Sequence, residues 1–104
     1  MRKLFLTLLT ISLSFALISC GEEIDVVESG TYEGVVAKVA PEEEEIYVNL
    51  DNGKKIELYF KENTVLMRDT LEVAFSELAV DQRVSVEVLK VGNRLDPIKV
   101  EIIE

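Results

Sequence analysis

Apolar and polar residues alternate along most of the chain after Thr31, with a period of two residues. A period of two places successive side chains on opposite faces of an extended strand, whereas a helix shows a period near 3.6. Each run has one apolar face and one mainly polar face, as expected for a half-buried strand of an antiparallel sheet. The pattern predicts five principal strands, which are Tyr32 to Val39, Ile46 to Leu50, Ile56 to Phe60, Val84 to Val88 and Ile98 to Ile102.

A turn signal lies between the second and third runs. The tripeptide Asp51-Asn52-Gly53 is typical of a β-hairpin loop. We predict a three-residue loop in which the glycine adopts the left-handed conformation. A two-residue loop would place Leu50 opposite Lys55 and would mix the apolar and polar faces.

Three other positions bear on the strands. Gly92-Asn93 predicts a second hairpin, between the fourth and fifth runs. Pro97 is predicted at the start of the last strand, where a missing N–H is tolerated. Gly34, inside the first run, indicates a bulge or a bend of a barrel strand.

The alternation is interrupted across residues 62–82. Thr64 to Met67 and Leu71 to Val73 are candidates for two short strands. Ser76 to Ala79 predicts one helical turn, because a serine is a favoured cap and Glu77 is favoured in the first turn.

The amino-terminal region shows a different pattern. Arg2 and Lys3 precede an uncharged, mainly apolar run from Leu4 to Ile18. A short basic start followed by an apolar stretch is typical of a secretory signal peptide. The run is shorter than the ~20 apolar residues that a spanning helix needs, and an uncleaved anchor helix is the alternative.

The end of this run resembles a known processing signal. The residues Leu17-Ile18-Ser19-Cys20 resemble the lipobox of bacterial lipoproteins. The resemblance implies cleavage before Cys20, a diacylglycerol on its thiol and an acyl chain such as palmitate on its new amine. It further implies a protein that is held by lipid at a membrane of the cell envelope, on the periplasmic side or at the cell surface.

These observations predict three parts of the chain. Residues 1–19 form the signal peptide, residues 20–30 a tether, and residues 31–104 a single β-domain. The tether contains four acidic residues, but its apolar positions alternate, so pairing as an extra strand remains an alternative. Cys20 is the only cysteine, which excludes an intramolecular disulfide.

Two segments resemble a known class of fold. Tyr32-Glu33-Gly34-Val35-Val36 and Phe75-Ser76-Glu77-Leu78-Ala79-Val80-Asp81-Gln82-Arg83-Val84-Ser85-Val86 are similar to stretches of small bacterial envelope OB-like domains. The resemblance implies an all-β fold, a small five-stranded OB-like antiparallel barrel with one short helical turn. An open β-sandwich fragment is the alternative.

Composition and charge exclude several function classes. The chain has no histidine, so neither a Ser-His catalytic pair nor a histidine-containing zinc site can form. Removal of Arg2 and Lys3 leaves nine of the 11 basic residues against 20 acidic ones, a formal charge of −11. Such a balance argues against nucleic-acid partners, which require basic patches. We therefore expect no enzyme activity and no cofactor.

The strongest charge run is Glu42-Glu43-Glu44-Glu45, directly after Pro41. Carboxylates bind hard cations such as Ca²⁺, but neighbouring side chains of an extended segment point apart. The run therefore favours a solvated loop that protects a strand edge, and we predict no metal site.

Tyr47 and Tyr59 lie on the polar positions of the second and third runs. Both side chains are expected to point outward as cross-strand or diagonal neighbours. Glu57 shares this face, and Glu45 and Asn49 are further candidates for it. The alternative is that the tyrosines only stabilise the hairpin.

The sequence thus predicts a membrane-tethered, non-catalytic binding or accessory module. Its candidate binding face consists of Tyr47, Tyr59, Asn49 and Glu57, and its expected partner is an envelope protein or a glycan. A structural subunit of an envelope complex and a carboxylate-based divalent-cation binder are the alternatives.

Overall fold

The computed structural model describes residues 23–103. This part contains seven strands and two short 3-10 helices. The strands are β1 (Gly30–Ala40), β2 (Glu45–Leu50), β3 (Lys55–Tyr59), β4 (Val65–Arg68), β5 (Leu71–Glu72), β6 (Arg83–Val91) and β7 (Arg94–Ile102). The first 3-10 helix is Pro41–Glu43 and the second is Phe75–Glu77.

The strands form one curved sheet in the order β3-β2-β1-β6-β7-β4-β5. Its pairings are antiparallel, except that β4 runs parallel to β7. β3 also packs against β7, so the sheet curls into a barrel. The prediction of an all-β fold is confirmed. The predicted count of five strands is too low, because the two short candidate strands both pair and become β4 and β5.

β1 joins the two halves of the barrel. Its first half pairs with β6 and its second half with β2, and both pairings include Gly34. A Cβ atom on this glycine would lie 2.3 Å from the carbonyl oxygen of Asn49, so only glycine permits the approach of the two backbones. The predicted bulge lies elsewhere, between Val36 and Lys38.

The first hairpin has the predicted loop. The amide of Leu50 donates to the carbonyl of Lys54 over 2.7 Å, which leaves residues 51–53 as the loop. Gly53 has φ +92°, in the left-handed region. Because Val48 then lies opposite Ile56, the apolar residues of both strands remain on the inner face.

The second hairpin is also confirmed. Val91 pairs with Arg94 across the two-residue loop, and Gly92 has φ +61°. Pro97 does not begin the last strand, which starts three residues earlier. It lies inside β7, opposite Val88, where the register shifts after Glu87, and such a bulge tolerates the missing N–H.

The predicted helical turn is a 3-10 helix that begins one residue earlier. Ser76 is not its cap, because the N-cap position is Ala74 and no side chain bonds the helix start. Gln82 stabilises the segment instead. Its side chain accepts from the amide of Ala79 and donates to the carbonyl of Glu77, both over 2.9 Å.

The core fills the inside of the barrel with apolar side chains from every strand but β5. Its members are Val27, Val36, Ile46, Val48, Leu50, Ile56, Leu58, Leu66, Leu78, Val84, Val86, Val88, Leu95, Val100 and Ile102. All but Val27 and Leu78 lie in strands. The core residues of the five predicted strands occupy inward positions of the alternation, whereas Leu66 and Leu95 lie outside those runs.

Part of the predicted tether packs on the barrel. The amide of Asp25 donates to the carbonyl of Lys55 over 2.7 Å, and the Asp25 carboxylate accepts from the Lys55 amide over 3.0 Å. Val27 is buried, and the Ser29 hydroxyl accepts from the Lys90 amide over 2.8 Å. The predicted signal peptide and Cys20 lie outside the described residues. Within residues 23–103, no helix is long and apolar enough to cross a membrane.

Candidate functional site

Four side chains form a compact group on the outer face of β2 and β3. In the strand register, Glu45 lies opposite Tyr59, and Tyr47 lies opposite Glu57. Each glutamate thus has a tyrosine across the strands, and the two tyrosines are diagonal neighbours. We call these four residues the Glu–Tyr cluster.

Glu45 is the unusual member of the Glu–Tyr cluster. Only 3% of its surface is exposed, although its strand position faces away from the core. Its Oε2 atom is buried and receives no hydrogen bond from an N–H or hydroxyl group within residues 23–103. A buried polar atom without a partner costs about 1–3 kcal/mol, so this carboxyl group needs a physical explanation.

The two carboxyl groups of the cluster interact directly. Burial, followed by the hydrogen bond with Glu57, raises the pKa of Glu45 to about 7. The same hydrogen bond lowers the pKa of Glu57, more than its own partial burial raises it. At neutral pH, Glu45 therefore carries a large share of one proton, and Glu57 is the charged member of the pair.

The two tyrosines surround this pair with hydroxyl groups. The Tyr47 hydroxyl donates to Oε2 of Glu57 over 3.3 Å. Burial and the negative charge of Glu57 raise the pKa of Tyr47 to about 12. The hydrogen bond with Glu57 is the largest cause that raises the pKa of Tyr59 to about 12. Both phenols are therefore neutral donors at physiological pH.

The tyrosines differ in exposure. Tyr59 is 49% exposed, whereas Tyr47 is half-buried. The Lys38 ammonium group lies 5.3 Å from the centre of the Tyr47 ring. These two side chains, with Ala37 and Lys55, line a shallow depression of about 410 Å³ beside the Glu–Tyr cluster.

The structure places three of the four predicted face residues together, namely Tyr47, Glu57 and Tyr59. Asn49 is exposed and lies opposite Lys55, one pair closer to the hairpin loop. It is outside the Glu–Tyr cluster but on the same face.

The interpretation of the acidic run as a solvated loop is wrong for its last residue, Glu45. Pro41–Glu43 form a 3-10 helix, and Glu44 closes it with φ +52°. Glu42, Glu43 and Glu44 are exposed, as expected for a solvated segment. Glu45 instead begins β2, so strand alternation turns its side chain onto the face of Tyr47. This is the face for which the alternation made Glu45 a candidate; the burial of its side chain was not predicted.

The described residues do not provide a metal centre of the usual kind. Across residues 23–103, no three His, Cys, Asp or Glu side chains converge closely enough to hold a metal ion. The Glu–Tyr cluster supplies two carboxyl groups and two phenols. Chemically, it can share a proton between its carboxyl groups and can accept hydrogen bonds from a donor that reaches it.

No protein-family model and no curated protein matches the chain. Among solved structures, it is similar to CusF from Escherichia coli. The solved chain of apo-CusF is 12% identical, with 86% of this chain and 100% of that solved chain covered and a TM-score of 0.56. CusF with Ag(I) is 15% identical, with 74% and 94% covered and a TM-score of 0.57. A CusF variant with Cu(II) gives the same identity and coverage and a TM-score of 0.56.

At this level of identity the similarity shows the fold alone. The chain therefore has the all-β, OB-like fold of CusF, with seven strands in its described part. The resemblance to small OB-like domains is confirmed at this level.

Proposed function

We propose that this chain is a membrane-tethered lipoprotein of the cell envelope whose barrel is a non-catalytic binding module. Its β2–β3 outer face contacts the partner. The observation that carries the proposal is the Glu–Tyr cluster, in which a buried carboxyl oxygen of Glu45 receives no N–H or hydroxyl hydrogen bond from the described part of the chain. An incomplete polar group beside two tyrosines is typical of a surface that is completed by binding.

The position of the cluster in the barrel supports this proposal. In OB folds, the face of the second and third strands is a common ligand platform. Tyrosine is enriched in interfaces because it offers a large apolar ring and a polar tip. The charge of −11 on the predicted mature chain favours a protein or glycan partner over nucleic acid.

A copper or silver function is not supported by the donor atoms of this chain. Imidazole suits copper, and thiolate or thioether sulfur selects soft ions such as Cu(I). The chain has no histidine, and Met67 is the only methionine among the described residues. The residues present do not fit the ions that CusF holds in its solved structures, so we propose no metal-dependent step.

The double variant Tyr47→Ala/Tyr59→Ala tests the binding face. The lipidated protein serves as bait for affinity capture from detergent-solubilised native envelope. We expect the variant to lose a partner that the unchanged protein retains. Leu71→Ala/Val80→Ala is the control, because it removes two large exposed side chains that lie outside the β2–β3 face. Loss of stability without loss of a partner would instead assign the tyrosines a structural role.

The lipid anchor is tested separately. Cys20→Ala should abolish incorporation of radiolabelled palmitate and should move the protein from the membrane fraction to the soluble fraction. Ser29→Ala is a control, because it leaves the lipobox unchanged. Unchanged labelling of the Cys20→Ala variant would refute the anchor.

A further inference from the structure

We infer that the Glu–Tyr cluster is a receptor for a cationic side chain, an arginine or a lysine of a protein partner. The cation would lie between Tyr47 and Tyr59 and would bind the paired carboxyl groups of Glu45 and Glu57. This inference rests on the proposed function and names the chemistry of the partner.

Glu45 has an unsatisfied carboxyl oxygen. It is only 3% exposed, and its Oε2 atom receives no hydrogen bond from an N–H or hydroxyl group within residues 23–103, whereas Oε2 of its neighbour Glu57 accepts from Tyr47. When Glu45 is ionised, its carboxylate has only acceptor sites, so a partner that completes Oε2 then has to be a donor. A donor that carries positive charge would also balance the two carboxylates, which otherwise have to share a proton.

Two aromatic rings of the cluster can contact a cation. The Lys38 ammonium group, 5.3 Å from the centre of the Tyr47 ring, shows that this ring accepts a cation on one face. Tyr59, directly opposite Glu45, is half exposed, so its ring can turn aside without disturbing the core. Two phenol rings beside two carboxyl groups suit the flat guanidinium group or the alkyl stem and ammonium group of lysine.

The charge of the chain complements a basic partner. The predicted mature chain carries a formal charge of −11, which attracts a basic protein surface and repels an acidic one. Two basic side chains, Lys38 and Lys55, line the depression beside the cluster. Because these two lysines repel further positive charge, the face favours a single inserted cationic side chain over a partner segment with many basic residues.

The test uses the full lipidated chain in neutral detergent micelles, with ¹³C-labelled glutamate. N-acetyl-arginine amide is titrated and the side-chain carboxyl resonances are followed. Its neutral analogue, N-acetyl-citrulline amide, has nearly the same shape and lacks the charge. We expect saturable shifts of the Glu45 and Glu57 resonances with arginine, and at least tenfold weaker binding of citrulline.

Two matched variants make the result specific. Glu45→Gln/Glu57→Gln should weaken arginine binding at least tenfold. Glu87→Gln/Glu101→Gln removes the same charge from the outer face of β6 and β7 and should leave binding unchanged. If the first variant fails to give a dispersed amide spectrum, Glu57→Gln alone replaces it, because this side chain is only half-buried.

Equal binding of citrulline and arginine, or no saturable shift, would overturn the cation receptor. The capture experiment then separates the two proposals. Loss of the partner in Tyr47→Ala/Tyr59→Ala but not in Glu45→Gln/Glu57→Gln would overturn the cation receptor and would leave the binding face standing. Retention of the partner by both variants would overturn both proposals.

Discussion

The β2–β3 and β6–β7 hairpins have similar inner faces and different outer faces. Both present aliphatic side chains to the barrel interior, such as Leu58 in the first hairpin and Val86 in the second, and both of these are fully buried. Both are antiparallel and closed by a loop that contains a glycine with positive φ. Their contributions to the core are therefore equivalent in kind.

The outer faces of the two hairpins differ in polarity and in the burial of their side chains. On β6–β7, Glu87 lies opposite Lys99 and Ser85 opposite Glu101, an ordinary solvated surface with one opposite-charge pair. On β2–β3, the same type of position holds Glu45, which is 3% exposed and has a carboxyl oxygen that no N–H or hydroxyl group of the described residues reaches. Tyrosines there take the place of small or charged residues.

This difference separates the residues that stabilise the fold, on the inner faces, from the residues that are available to a partner, on the outer face of β2 and β3. The inner faces follow the alternation and need no further explanation. The Glu–Tyr cluster costs stability through a buried, unpaired oxygen, and nothing in the barrel architecture requires it, since the β6–β7 hairpin folds without such a group. A feature that costs stability in one hairpin and is absent from the other is a candidate for function.

The largest expected effect comes from the residue that joins the two hairpins. In Gly34→Val, the new side chain would collide with the backbone of β2, because the Cα atom of Leu50 would lie 2.8 Å from the added Cβ atom. Backbone cannot move aside as a flexible side chain can, so we expect a loss of about 3 kcal/mol or more in the free energy of unfolding. Urea denaturation followed by circular dichroism measures it.

Gly53→Ala is the control for this substitution. Gly53 has φ +92° but has no atom within 4 Å of an added Cβ, so only backbone strain opposes the change. We expect a loss of about 1–2 kcal/mol. An equal loss in Gly34→Val would show that close packing between β1 and β2 is not what requires Gly34.

The next prediction tests the equivalence of the inner faces. Leu58→Ala in β3 and Ile102→Ala in β7 each remove a buried aliphatic side chain. We expect each to lower the free energy of unfolding by about 2–5 kcal/mol, because both open a cavity in the same core. Thermal and urea denaturation provide the values. A loss below about 1 kcal/mol in one hairpin only would break the equivalence.

Much of the fold could be predicted because strand alternation is a local property. Each of the five predicted strands contains inward aliphatic residues that the structure buries, and the loop at Asp51-Asn52-Gly53 has the predicted length. The β4–β7 pairing could not be predicted, because the parallel contact of Leu66 with Val100 depends on how the whole sheet curls. The place of Pro97 depends on a register shift between β6 and β7, at which Ile98 of β7 is the extra residue.

The candidate site could be predicted only in part. Tyr47, Tyr59 and Glu57 follow from alternation alone. The burial of Glu45 does not, because its place in a run of four acidic residues is typical of a solvated loop. The last member of the run differs from the first three because it begins β2, opposite Tyr59, and its carboxyl group interacts with that of Glu57.

The pH dependence of stability sharpens the contrast between the outer faces. The pKa of Glu45 is raised from 4.5 to about 7 in the folded state, so the folded protein binds more protons than the unfolded chain in this interval. The contribution of Glu45 to the free energy of unfolding is thus fully present below pH 4.5 and is lost as pH rises through 7. The decrease is at most about 1.4 kcal/mol per pH unit. The lowered pKa of Glu57 acts at lower pH, where it removes stability as pH falls.

Glu45→Gln should remove the decrease between pH 4.5 and 7, because glutamine does not ionise. Glu87→Gln, on the β6–β7 outer face, should retain it. Urea denaturation in steps of half a pH unit gives both profiles. A wild-type profile that is flat across this interval would show that the Glu45 carboxyl is solvated in the folded state.

The smallest expected effect concerns one hydroxyl group of the Glu–Tyr cluster. Tyr47→Phe removes the donor that lies 3.3 Å from Oε2 of Glu57, and a single bond of this kind contributes about 1 kcal/mol or less. Stability alone is therefore a weak readout. The hydrogen bond from Tyr47 is one of the causes that lower the pKa of Glu57, so its removal should raise that pKa, which carboxyl ¹³C NMR titration measures.

Tyr32→Phe provides the comparison for this last change. The Tyr32 hydroxyl donates to the carbonyl oxygen of Glu28 over 2.8 Å, so this variant also loses a hydrogen bond and should lose comparable stability. It should leave the titration of Glu57 unchanged, because its hydroxyl bonds the backbone of the amino-terminal segment. If both variants shift the Glu57 titration equally, the shift reports a general loosening of the barrel. If only Tyr47→Phe shifts it, the hydrogen bond from the Tyr47 hydroxyl sets the titration of the carboxyl pair. The tyrosine and the two carboxyl groups are then coupled, which the proposed site for a partner's donor requires.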